Sequence, residues 1–200
     1  MHIYIVFAHP STNSFTHKVL QSFCAGLAEV HHTYEIGDLY ALNFKSDMDE
    51  EQYKREIDWN HPQAPVPEDV LREQEKVNRA DGLVFIYPVW WSDCPAKLKG
   101  WFDRVWSYGF AYVYGESKER SSRVKARRAL VICPAGHTIE HLDETGIAQS
   151  MRCVMLHDRL QNVGIQEARM EILGGMTEGG PEQARKNLAR AYELGKTFFK

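Results

Sequence analysis

Two rhythms alternate along the chain: short unbroken apolar runs, and longer segments with apolar residues three and four positions apart. His2 to Ala8, Thr33 to Asp38, Gly82 to Tyr87, Ala129 to Cys133 and Ile165 to Leu173 read as strands. Phe15 to Val30, Pro67 to Arg79, Pro95 to Trp106, Glu140 to Asn162 and Pro181 to Phe199 read as helices, the fourth of them mostly so. The second helix has a good start, with proline at its opening and the acids Glu68 and Asp69 in its first turn. Ser46 to Val66 is polar, aromatic and proline-bearing without a clean period, so a long loop with helical turns is expected there. Apolar strands separated by helices predict an α/β fold, a parallel sheet covered on both faces. Right-handed crossovers make it doubly wound, and the common order for five strands is 2-1-3-4-5. Ligands then sit at the carboxyl ends of strands 1, 3 and 4.

Composition narrows the picture. The 200 residues are 44% hydrophobic and 26% charged, which suits one domain spanning residues 1–200. The net charge is −3 and no basic stripe with interleaved aromatics is present, so nucleic acid is not an expected partner. The short basic run Lys125 to Arg128 reads as a solvated lead into a strand. No apolar stretch reaches the ~18 residues of a membrane span, and the first strand begins at once with no signal peptide before it. Cys24, Cys94, Cys133 and Cys153 match no zinc or redox spacing and read as reduced thiols in a cytoplasmic protein, with no metal site.

Three loops fall at the carboxyl edge. "HPSTNSF" follows the first strand and opens a helix, the arrangement that binds phosphate, yet it has no glycine. Ser11, Thr12, Asn13, Ser14 and Thr16 offer side-chain donors in glycine's place, while helix capping alone accounts equally for Ser14 or Asn13. A Walker lysine is missing, so a nucleoside triphosphate is a poor fit. In "YPVWWSDCP", Trp90 and Trp91 point to opposite sides and cannot both be core, which suits a planar apolar ligand. In "CPAG", Ala135 and Gly136 let backbone amides approach. Phosphate donors, aromatic planes and free amides at one edge suggest a flavin.

The same residues carry a family likeness. "AHPSTNSF", "GDLYALNF" and above all "YPVWWSDCPAKLKGWFDRVWSYGFAYVYG" resemble the signatures of the NAD(P)H:quinone oxidoreductases, DT-diaphorase-like flavoproteins with a flavodoxin-like fold. The likeness implies a tightly bound flavin, FAD with FMN as the alternative, NAD(P)H as co-substrate, and a homodimer with its two sites at the interface. It places His9, Asn13, Ser14 and Phe15 on the pyrophosphate region, and Pro88, Val89, Trp90 and Trp91 along the isoalloxazine. Cys133, Pro134, Ala135 and Gly136 fall on its other edge. Gln52, in "DMDEEQY", aligns with a segment that reaches the partner's cofactor, and Asp103 with an acidic cofactor contact. Tyr112 and Tyr114 line the substrate pocket in this reading. The chain departs from the animal enzymes in "CPAG", where they have two threonines and two glycines. It departs again at Ala148, which takes no proton where they use a titratable group. His141 is then the expected proton donor.

The implied activity is two-electron reduction of quinones or similar planar electrophiles. An alternative is a flavoprotein regulatory subunit of a potassium-efflux transporter, since small relatives with this fold bind such transporters. A one-electron carrier of the flavodoxin type fits poorly with a net charge of only −3. A phospho-receiver domain needs clustered acids where this chain has His9 and Pro10.

Overall fold

Residues 1–58, 65–114 and 120–200 are described by a computed structural model. In chain order the elements are β1 (His2–Phe7), α1 (Phe15–Glu29), β2 (Thr33–Asp38), α2 (Glu50–Ile57), α3 (Glu68–Arg79), β3 (Gly82–Ile86) and α4 (Ala96–Val105). Then come β4 (Tyr112–Tyr114), β5 (Arg120–Ser122), β6 (Arg128–Pro134), α5 (Ile139–Glu144), α6 (Ile147–Arg152), β7 (Glu167–Leu173) and α7 (Gly180–Thr197). The main sheet is parallel throughout in the order β2-β1-β3-β6-β7, which is the 2-1-3-4-5 order expected of the five long strands. Ile3 stands beside both Tyr34 and Gly82, and Val84 beside Leu130.

Both faces of the central strands are apolar because both are covered. Ile3, Ile5, Phe7, Val84 and Leu130 point to the side held by Val19, Phe23 and Leu27 of α1 and Leu194 of α7. Tyr4, Val6, Phe85 and Val131 point to the other, where Val70 and Val77 of α3, Leu98 and Trp101 of α4, and Met155 cover them. This two-sided burial turns the period-2 alternation of a strand into a continuous run. Helices α1 and α7 pack backbone to backbone: a Cβ on Gly26 would lie 2.1 Å from the Tyr192 carbonyl oxygen, and one on Gly195 2.3 Å from that of Phe23.

Two segments differ from the sequence-based expectation. Within Ser46 to Val66 a true helix forms, α2, capped by Asp49, whose carboxylate accepts from the Gln52 N–H at 2.9 Å. Gln52 is its one buried residue, so the helix has no apolar stripe to announce it. Residues 59–64 of that segment lie outside the described residues. The helix expected over Glu140 to Asn162 is broken at Gly146, whose φ of 74° ends α5 before α6 begins. A π-helical stretch, Cys153–Leu160, and a short 3-10 turn, Gln161–Val163, continue from α6. The end of the aromatic segment after α4 forms β4, which pairs antiparallel with β5, Tyr112 opposite Ser122. Among the described residues no helix is long and apolar enough to cross a membrane, and the four cysteines are unpaired.

Candidate active site

Sheet order alone brings the three loops to one edge, and specific contacts then join them. The His9 and Trp90 rings lie 5.9 Å apart, linking the loop after β1 to the loop after β3. The Val89 N–H donates to the Pro134 carbonyl at 2.8 Å, linking the loop after β3 to the end of β6.

In the first loop, Ser14 is the N-cap of α1 and its hydroxyl oxygen accepts from the His17 N–H at 3.1 Å. His9 Nδ1 faces the backbone of Ser11 on both sides, 3.0 Å from its N–H and 3.2 Å from its carbonyl oxygen, so it accepts or donates according to the tautomer. Burial pushes the His9 pKa below its ordinary value, which favours the neutral ring. Asn13 is exposed, and its N–H donates to Ser11 Oγ at 3.2 Å. Phe15 packs partly against the α1 face of the core. Among the described residues the N–H groups of Thr12, Phe15 and Thr16 find no backbone or side-chain acceptor. Capping and an open anion site therefore coexist: Ser14 satisfies one donor of the first turn and leaves its neighbours free.

The second loop is a two-residue hairpin. Trp90 and Asp93 exchange backbone hydrogen bonds at 3.0 and 3.1 Å around Trp91 and Ser92, whose φ angles are 49° and 65°. Both central residues are left-handed, a geometry normally given to asparagine and glycine. Pro88 is buried, Val89 half-buried and Trp90 exposed, and Trp91 is fully exposed. Trp90 is partly covered, with its ring against His9, while Trp91 at the tip of the turn is left bare.

In the third loop the amides are divided. The Ala135 N–H is committed to the Leu173 carbonyl at 3.0 Å, so it is not a free donor, which corrects the expectation that Ala135 and Gly136 both present amides. Among the described residues the Gly136 N–H has no acceptor. A Cβ on Gly136 would lie 2.7 Å from Thr177 Oγ1, so the small residue serves the close approach of the loop after β7. Cys133 is fully buried, its thiol pKa pushed up by burial, and with Pro134 it presents only backbone at this edge. Ala135, Leu142 and Ala148 form a small cluster with Val89, which seats α5 and α6 against the second loop.

Several expected site residues are placed elsewhere. Gln52 is turned into the core, where its amide donates to the Arg104 carbonyl and accepts from Arg104 Nε. Its side chain does not face outward toward a partner's cofactor, because a buried guanidinium requires it. Asp103 is exposed on α4 and pairs with Lys99 one turn earlier. Tyr112 and Tyr114 are half-buried and pack with Tyr108, ring centroids 5.7 to 6.4 Å apart. His141 lies in the first turn of α5, exposed, its ring 4.6 Å from that of His137. A cleft of about 480 Å³ lies apart from the tryptophans, between α5, the end of β7 and α7, lined by Glu140, Glu171 and Arg190 among others.

Sequence reading missed one feature of this edge. Arg159, from the π-helical stretch, grips the Asp93 carboxylate with both Nη atoms, at 3.0 and 2.9 Å. Sixty-six residues separate the two, and no local pattern marks the pair.

A family model for the flavodoxin-like fold matches residues 1–194. The solved structure of an NAD(P)H:quinone oxidoreductase from Methanothermobacter marburgensis is similar with a TM-score of 0.94 and 56% identity, covering 99% of this chain and 98% of that one. A ribosyldihydronicotinamide dehydrogenase-like protein of Penicillium crustosum is 31% identical over 78% of this chain, which spans 65% of that relative's length. The ribosyldihydronicotinamide dehydrogenase (quinone) of Mus musculus is 27% identical over 99% of this chain and 92% of its own. The flavodoxin-like architecture and the high identity to one solved oxidoreductase agree with the loop geometry, and the chain belongs to the NAD(P)H:quinone oxidoreductase family of flavodoxin-like fold.

Proposed function

We propose that this protein transfers two electrons from NAD(P)H to a quinone, or a similar planar electrophile, through a tightly bound flavin. The balance is NAD(P)H plus quinone plus one proton, giving NAD(P)⁺ and hydroquinone. The carrying observation is the joined edge itself: free amides at the N-terminus of α1, the outward Trp90–Trp91 hairpin beside His9, and the Gly136 amide. That donor set fits the group. An anion suits the open first turn of α1, and a flat apolar ring suits the exposed indole of Trp91 beside Trp90.

The flavin supplies the hydride chemistry when bound. The chain's own residues bind and orient. Ser14, Asn13 and the Thr12, Phe15 and Thr16 amides take the phosphates, with the His9 ring at the start of the same loop. Pro88, Val89, Trp90 and Trp91 border the ring system on one side, and the backbone from Cys133 to Gly136 on the other. FAD is the proposed form. Tyr112 and Tyr114 close the acceptor pocket, and His141 delivers the proton that the quinone oxyanion needs. Asp103 is kept as a contact only to a second subunit's cofactor, since its carboxylate is outside this chain's own edge. A homodimer is proposed because a fully exposed indole at a working edge is costly unless something covers it.

The test is to denature the purified protein and identify the released flavin by mass, and to follow NAD(P)H oxidation with and without a benzoquinone. Stoichiometric FAD and quinone-dependent turnover are expected. FMN in its place overturns the choice of FAD, and neither flavin at any occupancy overturns the function.

A further inference from the structure

The hairpin that carries Trp91 is held in an unfavourable backbone geometry by a contact from far along the chain. Trp91 and Ser92 both occupy the left-handed region, at φ 49° and 65°, with neither a glycine nor an asparagine to ease it. Such conformations persist only where the surroundings over-determine them. Here the surroundings are few, because Trp90, Trp91 and Ser92 are all exposed. What remains is the base of the hairpin. Asp93 Oδ1 accepts from the Cys94 N–H at 2.7 Å and from Arg159 Nη1 at 3.0 Å, and Oδ2 accepts from Arg159 Nη2 at 2.9 Å.

Arg159 is itself fixed on every side. It is buried, its guanidinium lies 5.4 Å from the centre of the Phe102 ring, and Nη1 reaches Cys94 Sγ at 3.4 Å. Its backbone carbonyl accepts from Trp106 Nε1 at 2.7 Å. The π-helical stretch buries the side chains of Met155, Arg159 and Leu160 together, and Arg159 is the charged one among them. Wide helical turns of this kind are often found at functional sites. A planar fork on a carboxylate also fixes direction as well as distance, which an ammonium cannot do.

We infer that Arg159 is a positioning residue for the electron-acceptor site: through its two-pronged grip on Asp93 it locks the hairpin that presents Trp91. This rests on the proposed reading of Trp90 and Trp91 as the border of the flavin and acceptor.

The test uses the flavin-loaded protein and three variants, Arg159→Met, Arg159→Lys and Asp93→Asn. The last changes a half-exposed side chain and keeps the question open should Arg159→Met fail to fold. The quinone KM and kcat are measured in each, and again in a Trp91→Ala background. Separately, protein labelled with 5-fluorotryptophan is examined by ¹⁹F NMR, the Trp91 signal being assigned by its loss in Trp91→Phe. The expected result is a single Trp91 resonance in the parent that broadens or splits in Arg159→Met and Asp93→Asn. The quinone KM should rise about tenfold or more, a loss in keeping with small misplacements at a site. Arg159→Lys should fall between. In the Trp91→Ala background the same changes should alter KM by less than about twofold, because the residue being positioned is gone. An equal KM rise with and without Trp91 would show a merely structural role and overturn the inference. An unchanged Trp91 signal would do the same. Parent protein that binds no flavin would sink the functional reading instead, and the NMR arm would then decide the lock by itself.

Discussion

Gln52 and Arg104 hold each other in both directions: Gln52 Nε2 donates to the Arg104 carbonyl at 3.0 Å, and Arg104 Nε donates to Gln52 Oε1 at 2.9 Å. Arg104 also donates to Asp69 Oδ1 at 2.9 Å and to the Lys45 carbonyl at 2.6 Å. One buried guanidinium thus ties α2, α3, α4 and the loop before α2 together.

Gln52→Ala should cost about 1–3 kcal/mol, the usual penalty for leaving buried polar groups without partners. Urea unfolding of flavin-free and flavin-loaded protein separates two roles. A core role gives the same loss in both forms. A loss confined to the loaded form would return Gln52 to the cofactor.

Ser14→Asp isolates the charge of the phosphate loop. Aspartate caps a helix about as well as serine, so the Ser14 bond to the His17 N–H has a ready substitute and the flavin-free melting temperature should hold. A negative charge beside a phosphate is another matter. At ~4 Å the repulsion is ~1 kcal/mol in water and ~4 kcal/mol near a protein surface, so flavin affinity should fall about fivefold to a thousandfold. Fluorescence titration of the flavin-free protein measures it, and unchanged affinity would leave Ser14 as a cap alone.

These two positions also show where legibility ends. The five strands, their order and the three converging loops followed from apolar runs and crossover rules, since both faces of each central strand are buried. Ser14 was readable because it stands directly before a helical period. Gln52 was not: its helix lacks an apolar stripe, and its role depends on Arg104, fifty-two residues away. Arg159 and Asp93 failed for the same reason. Side-chain pairing across elements leaves no local trace, whereas periodicity and capping do. The Ala135 amide was misjudged because a small residue permits close approach without saying what approaches, and here Leu173 does.

Acid should be the weak side of the stability profile. Asp69, Asp93 and Glu171 are each pushed up by burial, but hydrogen bonds from Arg104, Arg159 and Arg190 outweigh it and hold all three below the ordinary carboxylate range. A lowered folded value means that the stabilisation is fully present above the unfolded value of about 4 and is lost as pH falls through the folded values. The melting temperature should therefore stay level from about pH 7 to 5 and decline below about pH 4. Asp93→Asn, which cannot titrate, should make that decline shallower. A parent protein with a level melting temperature down to about pH 2.5 would contradict the assignment.

The last prediction concerns the proton that accompanies reduction. A quinone that accepts hydride is left with an oxyanion, and nearby proton donation speeds such steps by roughly 10²–10⁴-fold. Ala148 is buried in the cluster under Val89 and has nothing to give. His141 stands in the first turn of α5, directly after the third loop, with its backbone N–H tied to Thr138 Oγ1 at 3.3 Å and its ring against His137. A capped first turn fixes where that ring begins, and an exposed imidazole exchanges its proton with water between turnovers. His141→Ala should keep the flavin content of the parent, because the backbone bond to Thr138 survives the change. Rapid-mixing measurements then separate the halves of the cycle. Reduction by NAD(P)H should proceed at the parent rate, while reoxidation by quinone should slow by about ten- to a thousandfold. His137→Ala is the control for the paired ring and should leave reoxidation within about threefold. Parent rates for His141→Ala in both halves would remove His141 from the chemistry and leave water as the proton source.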